Sequence, residues 1–231
     1  MDDLILLFDV DNTLLDNDSV TVDLAQHLTR NFGRESAARY WEIFEALRAE
    51  LGYTDYLGAL QRYRLDKMDD VSMLQMSDFL LEYPFSRRLF TGAFDALARA
   101  HQWGTTVILS DGDVVFQPRK IRRSGLWDAV QGRVLVYIHK EKMLDAVMTR
   151  HPGRHYVMVE DKLRILAAMK AFLGERLTTI FVRQGHYAHD PANISSYPAA
   201  DITLDRISDL VHLDLPERLN AIWAQARRNT P

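Results

Sequence analysis

Five consecutive apolar residues, Leu4-Ile5-Leu6-Leu7-Phe8, break abruptly into Asp9, Asp11 and Asn12. A run this short, with no polar alternation, fits a strand buried on both faces rather than a half-exposed one. Similar runs recur at Thr105 to Leu109, Val134 to Ile138, Tyr156 to Val159 and Thr178 to Val182, with a weaker one at Asp201 to Leu204. Helical patterns separate most of them, over Phe94 to His101, Val115 to Ser124, Met143 to Met148 and Leu163 to Leu173. Doubly buried strands alternating with helices leave few solutions: parallel strands joined by right-handed crossovers, hence an α/β, doubly wound sheet. The predicted core domain takes residues 1–15 and 90–231.

Between these parts, from about Asp18 to Tyr83, no doubly buried strand is evident. Val20, Leu24 and Leu28, then Trp41, Phe44, Leu47 and Leu51, fall at helical spacing. Residues 16–89 are therefore predicted to be an all-helical insertion. Gly33, Gly52 and Pro84 suit helix ends or connections, and Thr91-Gly92 suits the start of the next core helix. With no internal repeat or low-complexity segment, the insertion is expected to pack on the core.

The composition narrows the partner classes. A net charge of −4 gives no broad positive field to draw the chain onto nucleic acid or anionic lipid, so a small solute is the expected partner. The absence of cysteine rules out disulfides, thiolate catalysis and cysteine-ligated zinc. The start Met1-Asp2-Asp3 is acidic, and Leu4 to Phe8 is too short for a signal segment or a membrane span. The expectation is a cytoplasmic enzyme, monomer or homodimer, with neither a nucleic-acid nor a membrane partner.

Open α/β sheets bind ligands at the carboxyl ends of their strands, and four of the predicted strands end in chemically useful residues. Asp9 and Asp11 form a close pair of carboxylates, which a bound cation would make tolerable, and oxygen-only ligands favour magnesium. The pair also offers Asp9 as a nucleophile and Asp11 as general acid and then base, with an aspartyl-phosphate between the two steps. The plainer alternative is a polar strand end with Asp as a turn or cap residue.

At the second end, Ser110-Asp111-Gly112-Asp113, the Ser110 hydroxyl and nearby amides can bind a phosphate that Gly112 lets the backbone approach. The same residues suit a strand end capping a helix near Val114, and Asp113 is expected to be a cap. At the third, His139-Lys140-Glu141-Lys142, a lysine can neutralise nucleophile and phosphate; Lys140, nearer the strand end, is preferred over Lys142. At the fourth, Asp161 can bind the cation, with Glu160 as a second ligand or an outer partner. Adjacent acids also suit a helix N-terminus.

These residues resemble the haloacid dehalogenase superfamily, whose first motif is a hydrophobic strand followed by Asp-x-Asp-x-Thr, here Asp9-Val10-Asp11-Asn12-Thr13. Ser110 matches the second motif, Lys140 the third, and Glu160 with Asp161 the fourth, in the same order, over residues 1 to about 210. The resemblance implies a Rossmann-like core, Mg2+ held by Asp9, the backbone carbonyl of Asp11, and Asp161, and phosphatase activity on a small phosphorylated metabolite. The helical insertion looks like the cap domain of one branch of the superfamily. True dehalogenases of the family lack an acid at the position of Asp11. A phosphomutase, a phosphonate hydrolase or a weakly active binding protein of the same fold are the alternatives. Three departures from the pattern stand out: Asp111 adds negative charge beside the phosphate site, Lys162 is placed to compete for one of the acids, and the two lysines at 140 and 142 duplicate the third motif.

Other features are read more plainly. His186, His189 and Asp190 define no coordination geometry and are expected to form a polar surface loop. Arg119, Lys120, Arg122 and Arg123 are expected to be a solvated helix face. Trp41 and Phe44 are assigned to the core of the insertion, while Tyr53, Tyr56, Tyr63, Arg62, Arg64 and Lys67 are candidate specificity residues. The segment from Pro216 is expected to be a helix closing over the core.

Overall fold

The structure, a computed structural model, describes residues 3–66 and 70–229. Six strands form one parallel sheet: β1 (Leu4–Phe8), β2 (Thr105–Asp111), β3 (Val134–Tyr137), β4 (His155–Glu160), β5 (Leu177–Val182) and β6 (Ile202–Leu204). Their order is β3-β2-β1-β4-β5-β6, the doubly wound Rossmann arrangement. The chain runs outward from β1 to β3, then returns to lay β4 on the other side of β1.

Alternation along β1 explains why its run had to be continuously apolar. Leu4, Leu6 and Phe8 join one hydrophobic cluster, and Ile5 and Leu7 join the cluster on the opposite face. Both faces are covered, so neither tolerates a polar residue.

All-helical chain fills the interval between β1 and β2: α1 (Asn17–Leu51), α2 (Tyr56–Asp66) and α3 (Asp70–Glu82). Gly33 breaks the regularity of α1 with a positive φ of 83°, and Gly52 ends it in the left-handed conformation. The insertion shares its core with one face of the sheet, since Leu24, Tyr40, Phe44 and Tyr56 belong to the same cluster as Leu6 and Phe8. Phe44 is buried as expected, whereas Trp41 is only partly buried against that cluster. The two connecting segments are tied together, Asp16 N donating to Arg88 O at 2.7 Å and Phe90 N to Leu14 O at 3.0 Å.

The remaining helices are α4 (Ala93–His101), α5 (Phe116–Arg123), α6 (Leu126–Ala129), α7 (Leu144–Arg150), α8 (Leu163–Leu173), α9 (Gly185–His189), α10 (Pro191–Ser196) and α11 (Leu215–Asn229). α11 starts one residue before Pro216 and packs Trp223 edge-on against His155 of β4. The stretch around His186, His189 and Asp190 is not a loop: α9 and α10 occupy it, and Asp190 caps α10 by accepting from Ala192 N at 2.9 Å. Among the described residues no helix is long and apolar enough to cross a membrane.

Candidate active site

The carboxyl ends of β1, β2 and β4, and the segment after β3, converge on one place. Asp9 follows β1 directly, and its amide donates to Val159 O at 3.0 Å, fixing it beside β4. The chain then turns sharply: the amides of Leu14 and Leu15 both donate to Val10 O at 2.9 Å, with Asn12 at φ 62°. Asn12 is tolerated in that left-handed conformation because its short amide side chain bonds locally. Its Oδ1 accepts from the amides of Asn17 and Asp18 at 3.0 and 3.2 Å, so the turn that carries the two aspartates also caps α1.

Lys140 is buried at 1% exposure and is the pivot of the site. Its ammonium donates to Asp9 Oδ1, lies 2.6 Å from Glu160 Oε2, and reaches Leu109 O at 3.3 Å. Burial alone would favour its neutral form, but Asp9 and Glu160 outweigh this and hold it protonated. Lys142, by contrast, is exposed.

The other oxygen of Asp9 accepts from Thr13 Oγ1 at 3.3 Å. Burial, then Glu160, raises the Asp9 carboxyl above the ordinary range despite Lys140. Burial also raises Asp161 well above the ordinary range, while Glu160 stays low because Lys140 and Lys162 outweigh its own desolvation.

Asp9, Glu160 and Asp161 each offer an oxygen within 4.8 Å of the others. Both Asp161 oxygens are buried without a hydrogen-bond partner. Orphaned carboxylate oxygens inside a protein are costly, and a hard divalent cation matches a donor set made only of carboxylates. The residues therefore fit an oxygen-liganded metal.

Ser110 and Asp111 lie within β2, which runs two residues past its apolar stretch. Ser110 Oγ accepts from Gln117 Nε2 at 2.9 Å, and the same amide reaches Asp11 Oδ2 at 3.3 Å. Gly112 allows this: a Cβ there would stand 2.7 Å from Gln117 Cβ. The glycine makes room for Gln117. Asp111 adds less free charge than expected, since its Oδ1 accepts from Lys140 N at 2.7 Å and so anchors the segment that bears the lysine. Asp113 does cap, accepting from the amides of Val115 and Phe116 at 2.8 and 2.7 Å.

The basic run on α5 is a solvated face at Arg119, Arg122 and Arg123, which are exposed, but not at Lys120. Lys120 is 1% exposed, and its ammonium donates to both Asp11 oxygens at 2.8 and 2.9 Å and to Asn17 Oδ1 at 3.0 Å. Arg119 and Arg123 both pair with Glu82, and Arg123 also donates to Glu82 O at 2.8 Å, gripping the end of α3 where helix carbonyls lack partners. A signal for Lys120 was present in the sequence: Gln117, Lys120 and Ser124 fall at i, i+3 and i+7 beside Ile121, so three polar residues sit in the buried register of α5.

Lys162, expected to compete for an acid, makes no ion pair with one among the described residues. Its ammonium lies 5.1 Å from the Tyr187 ring centroid. His186 turns away from metal chemistry and pairs with Asp18 at 2.6 Å. Of the candidate specificity residues, Tyr56 and Tyr63 are buried, Tyr53 is half-buried, Arg62 pairs with Glu50 at 2.8 Å, Arg64 is exposed, and Lys67 lies outside the described residues. A cleft of about 600 Å³ opens between α1 and the core, with Asp11, Trp41, Tyr56 and Lys162 among its walls.

The haloacid dehalogenase-like hydrolase family model matches residues 5–172. Among solved structures, a haloacid dehalogenase-like hydrolase from Burkholderia xenovorans shares 65% identity at TM-score 0.88, over 93% of this chain and 100% of its own. The Bacillus subtilis HAD-hydrolase YfnB, bound to magnesium, shares 18% at TM-score 0.60, over 92% and 98%. An L-2-haloacid dehalogenase shares 16% at TM-score 0.63, over 90% and 97%. At such identities the likeness speaks for the fold alone. No curated protein matches the chain. From its sequence match and its close structural relative, the chain belongs to the haloacid dehalogenase-like hydrolases.

Proposed function

We propose that the protein is a Mg2+-dependent phosphomonoester hydrolase acting on a small phosphorylated metabolite, with residues 16–89 serving as a cap over the site. One observation carries the choice of reaction: Asp11 stands at the cleft, its side chain 24% exposed, with its carboxylate oriented by Lys120 and Gln117. Halide is a weak base and departs without a proton. An alkoxide does not, so an oriented acid at this position serves ester cleavage rather than dehalogenation.

In this scheme an Asp9 oxygen attacks phosphorus while the bond to the ester oxygen breaks, and Asp11 gives that oxygen its proton. Asp11 then takes a proton from the water that attacks the same phosphorus, and the bond to Asp9 breaks, releasing phosphate. Ser110 and Lys140 hold the phosphoryl oxygens, and Asp111 supports this phosphate-binding pocket by keeping the Lys140 amide in place. Asp9, the backbone of Asp11 and Asp161 would hold Mg2+, with Glu160 ligating or orienting from behind. The cation supplies positive charge that keeps the carboxylates ionised and offsets charge on the phosphoryl oxygens.

The test is release of inorganic phosphate from a panel of phosphomonoesters, with Mg2+ and with EDTA, beside halide release from 2-haloacids. Metal-dependent phosphate release is expected. Halide release without phosphate release would overturn the assignment.

A further inference from the structure

The cleft that receives the leaving group has cationic side chains on its walls, and most of them are already satisfied. Arg48 of α1 pairs with Glu45 at 3.4 Å and donates to the Tyr187 hydroxyl. His186 pairs with Asp18 at 2.6 Å. Arg164, beside the smaller adjoining cavity of about 260 Å³, pairs with Glu141 at 2.9 Å. Lys162 differs. Among the described residues no carboxylate ion-pairs with its ammonium and no acceptor hydrogen-bonds to it; its neighbour is the face of Tyr187. It borders both cavities, and with it so do Arg48, Thr54 and Tyr187.

The backbone fixes where this side chain starts. Lys162 follows Asp161 directly and precedes the first residue of α8, so its main chain is held by the strand end that carries the acids. A protonated amine with an aromatic face on one side and the leaving-group cleft on the other offers its free donors to that cleft.

Resting on the phosphatase reading above, we propose that Lys162 is a specificity residue that binds a second anionic group, carboxylate or phosphate, carried by the alcohol portion of the substrate. The substrate class is thus a doubly anionic organic phosphate. Trp41, Phe44 and Tyr56 line the same cleft and would cover the carbon skeleton between the two anions.

A matched pair of esters tests this, 4-carboxyphenyl phosphate and its neutral isostere 4-carbamoylphenyl phosphate, together with the 3-substituted pair. The wild-type protein with Mg2+ is expected to favour a carboxyl ester by about tenfold or more in kcat/KM, as for a charge that gains a desolvated partner. In Lys162→Gln that ratio should collapse toward one, and in Lys162→Arg it should persist in part. A wild-type ratio near one for both pairs overturns the proposal. So does a ratio that survives in Lys162→Gln while both esters slow together, since that would make the lysine only a counter-charge for the acids. Calorimetric titration of Asp9→Asn with each ester reads the preference without turnover. Binding preference without hydrolysis by the wild type would sink the phosphatase reading and leave the subsite standing, whereas hydrolysis without preference would do the reverse.

Discussion

Replacing Lys120 by Met keeps an unbranched side chain and removes the ammonium. Three contacts disappear, to the two Asp11 oxygens at 2.8 and 2.9 Å and to Asn17 Oδ1 at 3.0 Å. Hydrogen bonds to a charged group contribute about 1.5–3 kcal/mol net. Two effects hold the loss near the lower part of that range: the Asp11 side chain, 24% exposed, regains some water, and the desolvation cost of the lysine, 1% exposed, is removed. The expected destabilisation is about 2 kcal/mol, or a fall in Tm of roughly 4–8 °C for a chain of this length. Function should suffer in a more specific way. On the proposed mechanism, Asp11 without its anchor is no longer held where the ester oxygen departs, and the loss should grow with the basicity of the leaving group. Assays with an alkyl phosphate and with nitrophenyl phosphate, beside thermal unfolding, should show kcat falling about tenfold more for the alkyl ester, equivalent to roughly 1.4 kcal/mol. Equal losses for the two esters would refute the positioning role, and an unchanged Tm would refute the energetics.

Three further outcomes are expected. Asp161→Asn removes a buried carboxylate whose oxygens lack partners, so in EDTA the variant should unfold at a higher temperature than the wild type; millimolar Mg2+ should stabilise the wild type by about 2.7 kcal/mol at a hundredfold excess over Kd and leave the variant nearly unmoved, equal shifts being the adverse result. Gly112→Ala drives a Cβ to 2.7 Å from Gln117 Cβ and should cost about 1–3 kcal/mol while loosening Ser110, read by urea unfolding and by KM. Burial depresses His155 to about 4, between Thr178 Oγ1 at 2.9 Å and Trp223. The unfolded chain therefore takes up this proton first, so stability is complete above about pH 6.5 and falls as pH drops toward 4. Urea midpoints of wild type and His155→Gln should converge over that window, and parallel curves would count against it.

The sequence alone determined the elements whose physics is local. A doubly buried parallel strand must be apolar at every position, so Leu4 to Phe8 and its counterparts were readable as strands, and Asp9, Ser110 and Asp161 were readable as residues at their carboxyl ends. Gly33 and Gly52 likewise announced helix breaks, because a positive φ is a property of the residue itself. Only the tertiary structure decided which charges are partnered. Lys120 and Lys162 are each a cation beside apolar residues in the sequence, yet one is enclosed against Asp11 and the other faces a cleft without an ion-paired acid. That difference depends on how α5, α8 and α9 meet the strand ends and the insertion, which are elements far apart in the chain. The same holds for Asp111, whose acidity looked like an obstacle to phosphate until the fold brought the Lys140 amide to it. Strand identity follows from the solvation of one segment; the pairing of a charge depends on distances between segments, and folding sets those distances.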